Sequence, residues 1–129
     1  MSVINEAMIF AAGFGKRMLP YTKNTPKPLL KIKGKSIIHY QIDALLKLNF
    51  KNIVVNGHHL SSKLKRDLEC YKPIVKVTFE EKILETGGGL LNALKLKLFK
   101  DSKSPKVVIN GDVFWKNSKN CPIDKIIKN

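Results

Sequence analysis

The stretch Ala11–Leu29, AAGFGKRMLPYTKNTPKPL, decides how this chain reads. It follows the apolar run Ala7-Met8-Ile9-Phe10. It gathers Gly13 and Gly15, the cations Lys16, Arg17, Lys23 and Lys27, and the prolines Pro20, Pro26 and Pro28. Glycines let a backbone come close to a ligand, prolines keep a loop out of helix, and fixed cations suit an anion. Loops leaving the carboxyl ends of strands in an open α/β sheet are where phosphate ligands lie. A strand feeding this loop therefore points to nucleotide chemistry.

The rest of the chain alternates in the manner that such a sheet requires. Ala7–Ala11 is apolar throughout, as expected of a strand covered on both faces. Residues 12–35 read as one long loop. Ser36 is placed to cap a helix running to about Leu48, with Ile38, Ile42, Leu45 and Leu46 on one face and Asn49 suited to a left-handed exit. A second strand is expected at Asn52–Asn56, and a helix opened by Ser61 or Ser62 runs toward Tyr71. A third strand spans Ile74–Glu80, with Val75, Val77 and Phe79 alternating. Gly87–Gly89 introduce a helix carrying Leu90, Leu91, Leu94 and Leu98. Lys106–Asn110 forms a fourth strand, and Pro122 begins a last helix. The order β-α-β-α-β-α-β-α predicts an α/β fold, Rossmann-like, with three α/β/α layers and a mostly parallel sheet joined by right-handed crossovers.

Composition narrows the functional classes. The 129 residues make one domain, 1–129, with a 43% hydrophobic share typical of a globular protein. No run of apolar residues is long enough to span a membrane, and MSVINEAMIF lacks a basic leader segment and carries Glu6. Cys70 and Cys121 share no metal-ligand spacing and read as reduced thiols, consistent with a cytoplasmic setting. The net charge of +14 invites a nucleic-acid reading. Against it, only Arg17 and Arg66 among the 24 cations are arginines, and the lysines are scattered with few aromatics among them. The positive surface instead favours encounter with small anionic substrates.

Two common glycine-rich loops can be excluded. The dinucleotide fingerprint needs a third glycine where Met18 stands, and the G-x-x-x-x-G-K-[ST] phosphate loop occurs nowhere. What remains is Gly13-x-Gly15-x-Arg17-Met18-x-Pro20-x-Thr22 followed by Pro26-Lys27-Pro28-Leu29. Then come Asn56-Gly57-His58-His59-Leu60, Leu84-Glu85-Thr86-Gly87-Gly88-Gly89 and Val108-Ile109-Asn110-Gly111-Asp112-Val113. Four motifs in this order resemble the nucleotidyltransferases that make nucleotide sugars, the NDP-sugar pyrophosphorylases. The last two resemble most the N-acetylmuramate 1-phosphate uridylyltransferase branch, with mannose and heptose 1-phosphate guanylyltransferases as near relatives.

The resemblance implies a transferase. A sugar-1-phosphate oxygen attacks the α-phosphorus of a nucleoside triphosphate, UTP in the uridylyltransferase branch, and pyrophosphate leaves. Positioning and charge neutralisation carry such a reaction, with Mg²⁺ as cofactor. By the same resemblance Gly13 and Gly15 present backbone N–H groups to base and triphosphate, and Lys16 is the variable position, contributing backbone contacts. Arg17 offers its fork to the outer phosphates. Lys27, held between prolines, lies near the α-phosphate, so that Arg17 and Lys27 are the expected catalytic charges. Gly87–Gly89 admit a helix close to the base, with Gly87 in contact, Asn110 reaches the nucleotide, and Asp112 is a ligand of Mg²⁺. Glu80, Glu81 and Glu85 lie near the base pocket. His58 and His59 have no third ligand at useful spacing and read as loop residues over the nucleotide or in solvent.

Members of this family continue beyond the point matched by Asn129, with further strands, a sugar pocket and a second acidic metal ligand. The chain thus corresponds to their N-terminal half, truncated relative to full-length members, with an open sheet edge that invites self-association or a complementing C-terminal polypeptide. Three readings stand side by side: a half of a split transferase, a fragment of a longer one, and a nucleotide-binding remnant without activity.

Overall fold

The computed structural model describes residues 4–13, 19–21, 23–58, 60–82, 86–101, 103–111, 113 and 122–128. In chain order the elements are β1 (Glu6–Phe10), β2 (Lys31–Ile32), β3 (Lys35–Ser36), α1 (Ile37–Lys47), β4 (Asn52–Gly57), α2 (Ser61–Asp67), β5 (Val75–Phe79), α3 (Thr86–Lys95), β6 (Val107–Asn110) and α4 (Pro122–Lys128). Single 3-10 turns form at Lys27–Leu29 and Glu69–Tyr71. The main sheet is ordered β5-β4-β1-β6 with every pairing parallel.

Parity along β1 explains why it reads as apolar throughout. Ala7, Ile9 and Ala11 face a cluster holding Ile38, Ile42 and Leu45 of α1, Leu64 of α2 and Ile123 of α4. Met8 and Phe10 face the other way, against Leu90, Ala93 and Leu94 of α3. Each strand residue is thus buried on one side or the other, which gives the three-layer α/β/α arrangement. At roughly 1.5–3 kcal/mol for each fully buried aliphatic side chain, Ile38, Ile42 and Leu45 outweigh the marginal stability of an isolated 11-residue helix. The α3 layer covers only the sheet centre, so Val108 on β6 stays 42% exposed beside the buried Met8.

The capping expected for α1 is present. Ser36 Oγ accepts from the His39 N–H at 3.4 Å, and Asn49 leaves the helix at φ 65°. Four details differ from the sequence reading. The loop 12–35 contains the β2–β3 hairpin, whose central residues Lys33 (φ 53°) and Gly34 (φ 80°) both turn left-handed as a type I′ turn demands. Leu60, at φ 55°, takes the cap position of α2, and Ser61 is its first helical residue. Phe79 ends β5 at 61% exposure, because the strand's last residue pairs with Gly57 beyond the helices that bury Val75. Leu91 lies on the outer face of α3 at 52% exposure, while Leu98 lies past its end and still packs on Phe99 and Met8.

Candidate functional site

The connections build a switch point. From β1 the chain passes through α1 to β4 and through α2 to β5, always outward on one side; after α3 it returns to pair β6 with the opposite edge of β1. Loops leaving β1 and β6 therefore diverge, opening a crevice at their carboxyl ends. The glycine loop begins there, and so does the turn around Gly111.

Four hydrogen bonds tie that turn down. Gly111 donates its N–H to the Phe10 carbonyl at 2.7 Å, and Val113 donates to the Asn110 carbonyl at 3.2 Å. From α1, the buried Gln41 amide nitrogen donates to the Asn110 carbonyl at 3.0 Å and the Val113 carbonyl at 2.6 Å. Both neighbours of Asp112 are held by these bonds. Gln41 Oε1 is buried without a hydrogen-bond partner among the described residues, so the side chain is oriented by what its nitrogen holds.

The Pro26-Lys27-Pro28 segment reaches the same place. Leu29 donates to the Pro26 carbonyl at 2.9 Å and Leu30 to the Lys27 carbonyl at 3.1 Å, closing the 3-10 turn. Pro26 and Pro28 are buried and Lys27 half-buried. A Cβ at Gly111 would stand 2.7 Å from the Phe10 carbonyl oxygen and 3.1 Å from Pro28 Cγ. Only glycine lets the proline-flanked turn and the end of β6 approach this closely.

On the α3 side, register aligns Asn110, Phe10, Asn56 and Thr78 in one row across the carboxyl edge. Asn56 is 1% exposed; its Oδ1 accepts from the Ala11 N–H at 2.7 Å and its Nδ2 donates to Glu80 Oε1 at 2.7 Å. Glu80 is buried as well, and its N–H donates to the Gly57 carbonyl. A Cβ at Gly89 would meet Asn56 Nδ2 and Phe10 Cε1 at 3.1 Å and Glu80 Oε1 at 3.3 Å, whereas one at Gly87 would meet nothing within 4 Å. The close approach of α3 is therefore made at Gly89, while Gly87 stays exposed in the first turn.

Gly13 is exposed just beyond Ala11 and Ala12, and Asn110 is exposed at the last position of β6. Gly15, Lys16, Arg17, Asp112, His59 and Glu85 lie outside the described residues. His58 Nδ1 lies 2.6 Å from the Glu80 carbonyl oxygen; a carbonyl only accepts, so this nitrogen carries the proton and the ring is tied to the exit of β5 rather than simply solvated. Among the described residues no group of three or more His, Cys, Asp or Glu side chains could hold a metal ion. Motif reading passes over Gln41 and, although Asn56 opens one of the motifs, over the bonds that Asn56 makes. One signal was present for each: a polar residue inside an apolar strand, and one on the inward face of an amphipathic helix.

The profile of the family described as "Nucleotidyl transferase" matches residues 6–129. The chain belongs to that family. Among its nucleotidyl transferase relatives are N-acetylmuramate alpha-1-phosphate uridylyltransferases of Caulobacter vibrioides, 32% identical over 93% of this chain and 50% of the relative, and of Neisseria meningitidis serogroup B, 38% identical over 84% and 47%. The mannose-1-phosphate guanylyltransferase catalytic subunit beta of Danio rerio is 29% identical over 95% of this chain and 34% of its own. Among solved structures, CTP:phosphocholine cytidylyltransferase from Streptococcus pneumoniae aligns at a TM-score of 0.74 and 26% identity, over 92% of this chain and 49% of that one. The chain spans half or less of the length of these relatives.

Proposed function

We propose that this chain is the nucleotide-binding half of a sugar-1-phosphate nucleotidyltransferase, binding UTP at the carboxyl edge of β1 and β6. On this reading it transfers UMP to N-acetylmuramate 1-phosphate when the remaining half of the fold is supplied. The observation that carries the proposal is the packing of Pro28 against Gly111. It brings the turn bearing Lys27 to the turn bearing Asp112, at the one place where the sheet order reverses. The uridylyltransferase relatives support the choice of base and sugar.

In the reaction, a phosphate oxygen of the sugar-1-phosphate forms a bond to the α-phosphorus as the bond from that phosphorus to the bridging oxygen breaks. Pyrophosphate leaves with the electron pair. The acceptor is already ionised at neutral pH, so the chain's task is to hold anions together and offset developing charge. Gly13 and Gly15 bring backbone donors to the nucleotide, Arg17 faces the outer phosphates, and Lys27 lies beside the α-phosphate. Lys16 contributes through its backbone, and Gly87 and Asn110 face base and ribose. Asp112 would supply a hard oxygen ligand to Mg²⁺, with the second acidic ligand expected from the remaining half of the fold. When bound, the ion would neutralise phosphate charge. A cytoplasmic location and a single domain over 1–129 belong to the same proposal.

The test is calorimetric titration with UTP and GTP in Mg²⁺, for the natural chain and for Lys27→Ala. UTP should bind, GTP should bind more weakly, and Lys27→Ala should lose roughly tenfold or more in affinity, about 1.4 kcal/mol. Pyrophosphate release from UTP and N-acetylmuramate 1-phosphate should arise only with a complementing C-terminal polypeptide. No binding of either nucleotide removes the proposal. Preference for GTP moves it to the second reading, a mannose or heptose 1-phosphate guanylyltransferase half, which the guanylyltransferase relative favours.

A further inference from the structure

The buried Asn56 amide faces two partners of opposite hydrogen-bonding character. Ala11 brings an N–H, which needs an acceptor, and Glu80 brings a carboxylate, which needs a donor. An amide serves both from one site, with its acceptor and its donor on separate atoms. An aspartate would set a carboxylate against Glu80, and a leucine would take the acceptor from the buried Ala11 N–H and the Asn56 donor from Glu80. The link spans the sheet at a meaningful point. Ala11 is the residue from which the glycine loop departs, and Glu80 closes the exit of β5. Gly89 allows α3 to lie directly on the pair.

We infer that Asn56 is a positioning residue that fixes the start of the glycine loop against the β5 exit and the first turns of α3. The β1 side of the nucleotide crevice is thereby held against the β5 exit and α3. The location of the ligand rests on the function proposed above, whereas the positioning itself is a property of the free chain. Asn56 touches no part of the nucleotide in this scheme. It acts through Ala11 on one side and Glu80 on the other, so its loss alters where backbone donors stand rather than how many there are.

Polarity reversal separates positioning from simple packing. Asn56→Asp keeps an acceptor for Ala11 but removes the donor for Glu80, and adding Glu80→Gln returns a donor on the other side. Amide hydrogen exchange of the free protein reads the result directly. In Asn56→Asp the two buried carboxylates repel and draw the acceptor away from Ala11, which should speed exchange there by roughly tenfold or more while Ile53 and Val54, in the same strand as residue 56, remain protected. The double variant Asn56→Asp/Glu80→Gln should restore protection at Ala11. UTP titrated in Mg²⁺ should show a matching loss and recovery of affinity. Unchanged exchange at Ala11 in Asn56→Asp overturns the inference, and so does a double variant that folds but leaves Ala11 as exposed as the single one. Should Asn56→Asp fail to fold, Asn56→Leu in the Glu80→Gln background, which removes the buried charge, gives the same readout at Ala11. A natural chain that binds no UTP removes the proposed function, and the exchange result still decides the role of Asn56.

Discussion

At the scale of single residues, the carboxyl edge is organised by side-chain amides that use each atom for a different duty. Gln41 illustrates the cost of such an arrangement. Its nitrogen serves two carbonyls of the β6 turn, while its oxygen is buried with no partner among the described residues. Gln41→Leu removes both bonds but also removes the orphaned oxygen, so the losses are partly offset, and we expect about 1–2 kcal/mol of destabilisation. Gln41→Glu leaves two carbonyls facing a buried carboxylate and should cost about 3 kcal/mol or more. Urea denaturation of the two variants checks this, and a glutamate variant no less stable than the leucine one would contradict the assigned contacts. These residues also mark the limit of what the sequence disclosed. Motif spacing reached Gly13, Lys27 and Asn110 because glycine, proline-flanked cations and strand ends have local signatures. For Asn56 and Gln41 the sequence showed only a polar residue at a buried position and not the partners, which stand 45 and 69 residues away in the chain.

At the scale of elements, periodicity and capping located every helix and every strand of the main sheet to within a few residues. Ser36 and Asn49 bracket α1 as their side chains and backbone preferences require. The β2–β3 hairpin escaped because its turn places Lys33 in a conformation that a lysine rarely adopts. Leucine periodicity in α3 misled for a different reason: Ala93 takes an inward position and Leu91 an outward one. The hairpin offers a direct check. Asparagine tolerates left-handed backbone better than lysine, and Asn-Gly is the preferred pair for a type I′ turn. Lys33→Asn should raise stability by about 0.5–1 kcal/mol, visible as a higher melting temperature. A lower one would mean that the turn is held by something other than its backbone geometry.

At the scale of the whole molecule, the end of the sheet opposite the crevice is locked by a buried carboxylate. Glu6 accepts from the Asn52 amide at 2.7 Å and the Lys100 N–H at 2.8 Å, and Lys106 Nζ stands 3.6 Å away. Burial pushes its carboxyl up, but Asn52, the backbone N–H groups of Lys100 and Asp101, and Lys106 together hold it below its ordinary 4.5. A lowered folded-state value means that the contribution is complete above pH 4.5 and is lost as pH falls through the folded value. Stability should therefore decline below that pH, and Glu6→Gln should flatten this part of the profile while costing roughly 1–3 kcal/mol at neutral pH. A variant with an unaltered acid profile would exclude Glu6 as the source.

The sheet order also dictates when the crevice can come into being. β1 pairs with β4 across Ala7 and Ile53, but its other edge waits for Val107. Closing the longer of these loops adds only about 0.7 kcal/mol of chain entropy, so the second pairing is thermodynamically cheap. It is late nonetheless. During synthesis from the amino terminus, β1, β4 and β5 can assemble with α1 and α2 while the crevice edge of β1 still lies bare. The glycine loop emerges well before the turn around Gly111 with which it works. Until then β1 is an apolar edge strand paired on one side only, the stage at which a nascent chain most needs shielding from its neighbours.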